Sequence, residues 1–384
     1  MRMLVIDDEE DICDLIAEIA SRRGMEVKTI SHPEQVQGLV TAFAPEMIML
    51  DLMMPGTDGV ELLRMLAETS KTTKICLMSG SDTRVLNSAR RLGSAHGLEV
   101  IAALEKPITV AALNGLFESI MSAHKPAHDP ADLATAINDG SMPIYLQPVV
   151  EIATRRVKGA EALIRLTHPA RGVLTPDQFL QSVADQGLMQ PMTDMVIKES
   201  IRHASRWHQA GENMTLSINV TASTLLDLTL PDRIAELCKH HNLPPERLIL
   251  EVTENEAMRD VTRTMDVLLR MRIRNIGVSI DDFGTGHSSL RELQRMPFSE
   301  LKVDKGFVSD MATSRDCEVI VNSIIDLGHN LGLKVIAEGV EDARTWNMLA
   351  SKGCDFGQGY LMGKPMPAED FDRWLVQWRS QPTI

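Results

Sequence analysis

One alternation runs through the chain at two scales: short, wholly apolar runs separated by segments long enough for an amphipathic helix. In the first third the runs are Leu4-Val5-Ile6, Met47-Ile48-Met49-Leu50, Ile75-Cys76-Leu77-Met78 and Val100-Ile101-Ala102-Ala103-Leu104. Helix-length segments follow near Asp11 to Arg23, Gly59 to Ala67, Thr83 to Leu92 and Val110 to Met121. An apolar run without polar alternation must be covered on both faces, and strands covered by helices on both faces form parallel sheets. Residues 1–121 are therefore expected to form an α/β domain with a doubly wound parallel sheet.

The stretch Ser122 to Asp132 has two prolines, several small residues and no apolar periodicity, which marks 122–131 as an exposed linker. A second domain is expected over 132–384, since 384 residues exceed what one compact core organises. Here the alternation resumes, with strand candidates Tyr145 to Val150, Lys158 to Leu163, Leu216 to Val220 and Leu248 to Val252. The series continues with Ile276 to Asp281, Glu300 to Val303, Val335 to Glu338 and Gly357 to Leu361. Helical stretches such as Met192 to His208, Arg263 to Arg272, Cys317 to Leu331 and Ala343 to Lys352 separate most of them. About eight strands over roughly 250 residues is the size of a TIM-type (β/α)-barrel, whose reactive groups stand at the C-terminal strand ends.

Charge and cysteine usage narrow the function. A formal net charge of −14 opposes non-specific nucleic-acid binding, which needs clustered Lys and Arg. An anionic substrate would require metal ions to invert the local field. No apolar run reaches the roughly 18–20 residues of a membrane helix, and Asp7 arrives too early for a signal peptide, so a cytoplasmic protein is expected. The five cysteines are scattered without CxxC spacing and read as reduced core residues.

In the first domain Asp7 and Asp8 end one apolar run, Asp51 the second, Ser79 the third and Lys106 the last. Ligands of open parallel sheets bind at these carboxyl ends, so the five side chains should converge. Three packed carboxylates call for one Mg²⁺, and Asp51 then suits a nucleophile towards phosphate, with Lys106 and Ser79 holding the transferred group. The motifs Val-Ile-Asp7-Asp8-Glu9, Leu-Asp51-Leu-Met-Met-Pro55-Gly56, Met-Ser79-Gly80 and Lys106-Pro107 resemble those of response-regulator receiver domains. The resemblance implies phosphorylation of Asp51 by a cognate histidine kinase. Ala103 stands where such domains often carry a Tyr or Phe.

In the second domain Glu161, Asn219, Glu251, Asp281, Asp282, Lys302, Asp304, Glu338 and Gln358 all fall at or near apolar strand ends. Five carboxylates (Glu161, Glu251, Asp281, Asp282 and Glu338) in one cavity are costly unless paired or metal-bound. With Lys302 as the nearby cation, two divalent metals are the simplest neutralisation. Oxygen ligands with one Asn and no His or Cys favour Mg²⁺ or Mn²⁺. Such a pair suits in-line displacement at phosphorus, with Lys302 holding water or offsetting charge and Asp304 as a metal neighbour. The segment Asp282-Phe283-Gly284-Thr285-Gly286-His287 reads as a mobile loop beside the metals, a substrate lid.

These residues resemble the EAL family of cyclic di-GMP phosphodiesterases. The motifs are Glu161-Ala162-Leu163 with Arg165, Gln147-Pro148, Asn219-Val220, Glu251-Val-Thr253-Glu254, Asp281-Asp282-Phe-Gly-Thr-Gly, Leu-Lys302-Val-Asp304, Glu338-Gly-Val-Glu341 and Gln358-Gly-Tyr360. The resemblance implies opening of cyclic di-GMP to linear pGpG. It places Glu161, Asn219, Glu251 and Asp281 on one metal, with Asp281, Asp282 and Glu338 near the second. Lys302 orients the water, Glu338 is the candidate general base and Gln358 contacts water or substrate. Arg165 and Gln147 face the dinucleotide, while Glu254 and Glu341 anchor the loop. Leu166, His287 and Lys305-Gly306 depart from common family residues without removing a ligand. A homodimer is expected, with phosphorylation acting through dimer arrangement or loop access to the metals. The alternative is a catalytically inactive cyclic di-GMP receptor signalling through a protein partner, and the full ligand set favours the enzyme.

Overall fold

The computed structural model describes residues 1–32, 35–54, 59–69, 73–80, 83–123, 133–284 and 290–380, without the side chains at 83, 84, 87, 118, 119 and 121–123. Pro55-Gly56, the stretch 285–289 with His287, and 124–131 of the expected linker thus lie outside the described residues. The chain divides into two units, Met1–Lys125 and Pro126–Ile384. The Val110–Ala123 helix runs two residues into the stretch expected as linker, because Ser122 and Ala123 permit helix and proline is first met at Pro126.

In the first unit β1 (Arg2–Ile6), β2 (Glu26–Ile30), β3 (Met47–Asp51), β4 (Lys74–Ser79) and β5 (Glu99–Glu105) form a parallel sheet of order β2-β1-β3-β4-β5. Period-two geometry sends alternate side chains to opposite faces. Leu4, Ile6, Ile48, Leu50, Ile75 and Leu77 pack in one layer, and Met3, Val5, Met47, Met49, Cys76 and Met78 in another. The second layer meets Cys13 and Ile16 of the Glu10–Ser21 helix and Leu113 and Phe117 of the Val110–Ala123 helix. The strand order reverses between β1 and β3, which opens a crevice at their carboxyl ends, where Asp7 and Asp51 stand.

In the second unit β6 (Ile144–Glu151), β7 (Val157–Ile164), β10 (Thr215–Asn219), β11 (Leu248–Thr253), β12 (Gly277–Phe283), β13 (Glu300–Val303), β14 (Lys334–Ala337) and β15 (Phe356–Gln358) close into an eight-stranded barrel through β15–β6 pairing. The hairpin β8 (Leu166–His168) and β9 (Gly172–Leu174) stands apart from it, and β16 (Met366–Pro367) pairs with β6. The barrel differs from an all-parallel one because β6 runs antiparallel to both neighbours. The connection Ile152 to Arg156 is far shorter than the roughly dozen residues a parallel crossover needs, so β6 and β7 must form a hairpin. The hairpin sets Gln147 directly opposite Glu161.

One end of the second unit's core is covered by the Ala368–Ser380 helix, where Trp374 and Trp378 stack with centroids 5.5 Å apart. Their indole N–H groups donate to the Met362 carbonyl at 2.8 Å and the Arg155 carbonyl at 3.0 Å. No helix of the described residues is long and apolar enough to cross a membrane.

Candidate active site

Most barrel strands carry a polar side chain within or just after their apolar run, and the register of neighbouring strands sets several of these groups side by side. Ser217 pairs with Glu161 across β10–β7, Asn219 with Glu251 across β10–β11, and Thr253 with Asp281 across β11–β12. Glu161, Glu251 and Asp281 present ligand oxygens within 4.8 Å of one another, as do Asp281, Asp282 and Glu338. Asp281 belongs to both groups.

Lys302 on β13 is fully buried at the centre. Its ammonium lies 2.6 Å from Glu338, 2.9 Å from Glu251, 3.3 Å from Asp281 and 3.5 Å from Glu161. Burial alone would lower its pKa, but the surrounding carboxylates raise it well above the ordinary lysine value, so it stays charged. Glu161 and Glu251 share this environment and titrate in opposite directions. Burial raises both, yet Glu161 also has Lys302 and accepts from Gln358 Nε2 at 2.6 Å and Asn219 Nδ2 at 2.6 Å, which hold it below the usual range. Glu251 accepts from Lys302 at 2.9 Å, but burial and the Glu161 and Asp281 carboxylates push it well above its ordinary value. Burial, with Asp281 and Glu161 acting against Lys302, raises Glu338 to about 8. Burial and the Asp281 and Asp304 carboxylates raise Asp282 to about 6. One ammonium thus leaves several carboxylates reluctant to ionise.

Those groups fit hard divalent cations: all donors are oxygens, two acid groups share a bridging carboxylate, and the raised carboxyls are those a 2+ ion would deprotonate. The Gln358 carboxamide supports the same reading. Its Nε2 bridges Glu161 and Gln147, the latter at 3.1 Å, while its buried Oε1 has no hydrogen-bond partner among the described residues.

The remaining sequence candidates divide. Gln147 is held by Gln358 and donates weakly to the Gly363 carbonyl at 3.3 Å. Arg165 is mostly buried, donates to the Ile164 carbonyl at 2.8 Å and lies over the Tyr145 ring, 5.5 Å from its centroid. Glu254 Oε2 accepts from Gly284 N–H at 3.0 Å, which ties down the turn after Asp281-Asp282. Glu341 is exposed and bonded to none of the described residues, so the structure brings Glu254 but not Glu341 to the described part of the loop. Asp304 accepts from Gly306 N–H at 2.9 Å as the cap of the Lys305–Asp310 helix and lies outside both acid groups.

In the first unit Asp7, Asp8 and Asp51 form a third acid group. Lys106 Nζ reaches Asp51 at 2.8 Å, Asp7 at 2.9 Å and Glu9 at 2.8 Å. These three carboxylates outweigh burial and raise the lysine well above its ordinary value, while burial raises Asp7. Asp51 Oδ1 accepts from Met53 N–H at 2.9 Å, and Ser79 is buried at the end of β4. Glu9 was not singled out as a site residue from sequence; an acid directly after the Asp7-Asp8 pair is the signal that marks it.

Residues 131–365 match the EAL domain model, and residues 3–116 match the response regulator receiver domain model. This chain belongs to the EAL family. Glu161-Ala162-Leu163, which spells the EAL name, lies within β7, with Glu161 facing Lys302. Over 97% of both chains the protein is 30% identical to the cyclic di-GMP phosphodiesterase RocR of Pseudomonas aeruginosa. It is 39% identical to the bifunctional diguanylate cyclase/cyclic di-GMP phosphodiesterase MucR of the same organism, over 66% of this chain but only 37% of that one. The solved structure of the PaMucR phosphodiesterase in its c-di-GMP complex aligns with a TM-score of 0.61 at 39% identity, covering 63% of this chain and 98% of that one.

What sequence reading of the EAL domain missed is the support beneath the acids. Phe307 approaches the loop glycine Gly284, and Gly339 packs closely on Lys305; the signal for Gly339 is positional, since it directly follows the candidate ligand Glu338.

Proposed function

We propose that the chain is a receiver-regulated phosphodiesterase that opens cyclic di-GMP to linear pGpG. The observation that carries this reading is the pair of acid groups joined through Asp281 around a buried, charged Lys302, in an EAL domain. Glu161, Asn219, Glu251 and Asp281 would hold one divalent ion, and Asp281, Asp282 and Glu338 a second, Mg²⁺ or Mn²⁺ in each. Ions bound there would supply Lewis-acid polarisation of the phosphodiester and stabilise charge developing on it.

The chain's own residues do the rest. Lys302 orients the attacking water and offsets negative charge on the pentacovalent transition state from a water-excluded position. Glu338, the most accessible carboxylate touching Lys302, takes the water's proton. Water adds to phosphorus as the bond to one ribose O3′ breaks and that oxygen takes up a proton from solvent, leaving a 5′-phosphate and a free 3′-hydroxyl. Gln358 holds Glu161 in place and presents its unpaired Oε1 to water or substrate. Arg165 and Gln147 face the dinucleotide, and Glu254 keeps the turn bearing Asp281 and Asp282 in register.

In the receiver domain Asp51 accepts the phosphoryl group from a cognate histidine kinase, with Lys106 and Ser79 on the transferred oxygens; Asp7, Asp8 and Asp51 would hold one Mg²⁺, which would offset the phosphoryl charge. Phosphorylation then changes the turnover of the EAL domain.

The test is incubation with cyclic di-GMP and Mg²⁺, following linear product by chromatography beside a chelator control and Glu161→Ala. Metal-dependent pGpG formation lost in the variant supports the proposal, and tight binding without cleavage overturns it in favour of a receptor. For regulation, wild type and Asp51→Ala are compared with a small-molecule phosphodonor, and identical responses refute the role of Asp51.

A further inference from the structure

The two acid groups are supported differently. Glu161, Glu251 and Asp281 lie within strands β7, β11 and β12, where ladder hydrogen bonds and core packing hold them. Asp282 lies inside β12 but at its register irregularity between Ile280 and Phe283, and Glu338 directly follows the end of β14. Asp282 has a left-handed backbone, φ 53°, and is followed after Phe283 by Gly284 at φ 102°. Glu338 is followed directly by Gly339 at φ 69°. Such backbone is strained for residues other than glycine and persists only where its surroundings enforce it.

One short helix touches both segments. The Lys305–Asp310 helix starts three residues after Lys302 and is fixed by the Asp304 cap. A methyl group on Gly284 would stand 3.0 Å from Phe307 Cε2 and 3.3 Å from Ile324 Cδ1. A methyl on Gly339 would stand 2.7 Å from Lys305 Cβ and 3.1 Å from Ser309 Oγ. Strand β13 lies between β12 and β14, and Glu338 N–H donates to the Val303 carbonyl at 3.2 Å. The helix is therefore inserted between the segment that aims Asp282 and the segment that aims Glu338, with one glycine on each side allowing close approach.

We infer that this helix is a spacer, with Phe307 and the Lys305 backbone as positioning residues that set the separation of Asp282 and Glu338 and so the affinity of one of the two cation sites. This inference rests on the proposed two-metal reading. Phe307 carries no ligand atom of either acid group, and its effect passes through Gly284. Losing a group that orients ligands typically weakens metal binding about 10–100-fold.

The test is calorimetric titration of the full chain with Mn²⁺ in the absence of substrate. An Asp51→Ala background removes the receiver acceptor, and the variants are Phe307→Ala, Phe307→Leu and Gly339→Ala, with melting temperatures in parallel. Phe307→Ala and Gly339→Ala are expected to weaken one barrel step about 10-fold or more while the other changes less than about twofold, with Phe307→Leu restoring most of the loss. Equal weakening of both steps, or a change that tracks melting temperature across all three variants, would mean a merely structural role and overturns the inference. Two unchanged steps overturn it as well. A parent protein that binds no Mn²⁺ in the barrel overturns the two-metal reading itself, which separates the two failures.

Discussion

Replacing Lys302 by Met keeps the volume and removes the one ammonium that touches Glu161, Glu251, Asp281 and Glu338. At an effective dielectric constant near 20, contacts of 2.6–3.5 Å are worth roughly 5–6 kcal/mol each, while carboxylates within 4.8 Å repel one another by about 3–4 kcal/mol per pair. Protonation limits the damage, because Glu251 and Glu338 already hold protons more tightly than free carboxyls. The net loss is therefore expected near that of removing one partner of a buried pair, about 3–5 kcal/mol. For a domain of this size that lowers the melting temperature of the barrel by roughly 6–20 °C. Divalent ions neutralise the same carboxylates, so the deficit should shrink by more than half in millimolar Mn²⁺ while turnover stays abolished. Thermal unfolding followed by circular dichroism, in chelator and in Mn²⁺ at constant ionic strength, reads both. A deficit of the same size in both conditions would refute the argument that Lys302 and the metals balance one set of charges.

In chelator, barrel stability should fall as pH rises from about 5 to 8.5. Glu338 and Asp282 have folded pKa values raised to about 8 and about 6, so the folded state holds protons that the unfolded chain releases earlier, and their contribution is lost as pH passes the folded values. Glu161, held low, contributes a constant amount across that window, so melting temperatures that rise with pH in chelator contradict the assignment. Gln358→Leu should remove the 2.6 Å donor to Glu161 and raise the Mg²⁺ concentration for half-maximal turnover about 10-fold, and an unchanged metal dependence would count against that role. Gly159→Ala should abolish soluble expression or lower the melting temperature sharply, since its methyl would stand 1.9 Å from the Thr215 carbonyl oxygen; a variant as stable as wild type is the opposing result.

The acids were legible in sequence because a carboxylate closing an apolar strand has no cheap structural explanation once several recur. Lys302 was legible for the same reason, although its contact with four carboxylates was not. What escaped was local structure that lacks an apolar signature. Strand β2, Glu-Val-Lys-Thr-Ile, lies at a sheet edge with mostly exposed side chains, and the Val36–Phe43 helix after it was passed over as well. The reversed direction of β6 was also missed, since side-chain pattern does not encode strand direction and only the shortness of the following turn does. Glu254 and Glu341 looked equivalent by motif, yet only Glu254 reaches Gly284, because it opens a helix packed beside β12 while Glu341 lies in an exposed turn.

The division between acids in regular ladder and acids at the β12 irregularity or just past β14 bears on how such an enzyme is switched. Glu161 and Glu251 cannot move without breaking barrel ladders, so a regulator acting on them would have to work against the stability of the fold. Asp282 and Glu338 need only small backbone rotations at positions that are already left-handed or precede a left-handed glycine. A shift of that kind leaves one cation site intact and disables the other. Under the proposed chemistry this stops turnover while preserving the fold and much of the metal affinity. Regulation by phosphorylation at Asp51 is therefore expected to appear as a change in turnover and in one metal step, with melting temperature and the other step nearly unchanged. Parallel Mn²⁺ titrations with and without phosphodonor distinguish this from regulation through the strands, which would shift both steps and the melting temperature together.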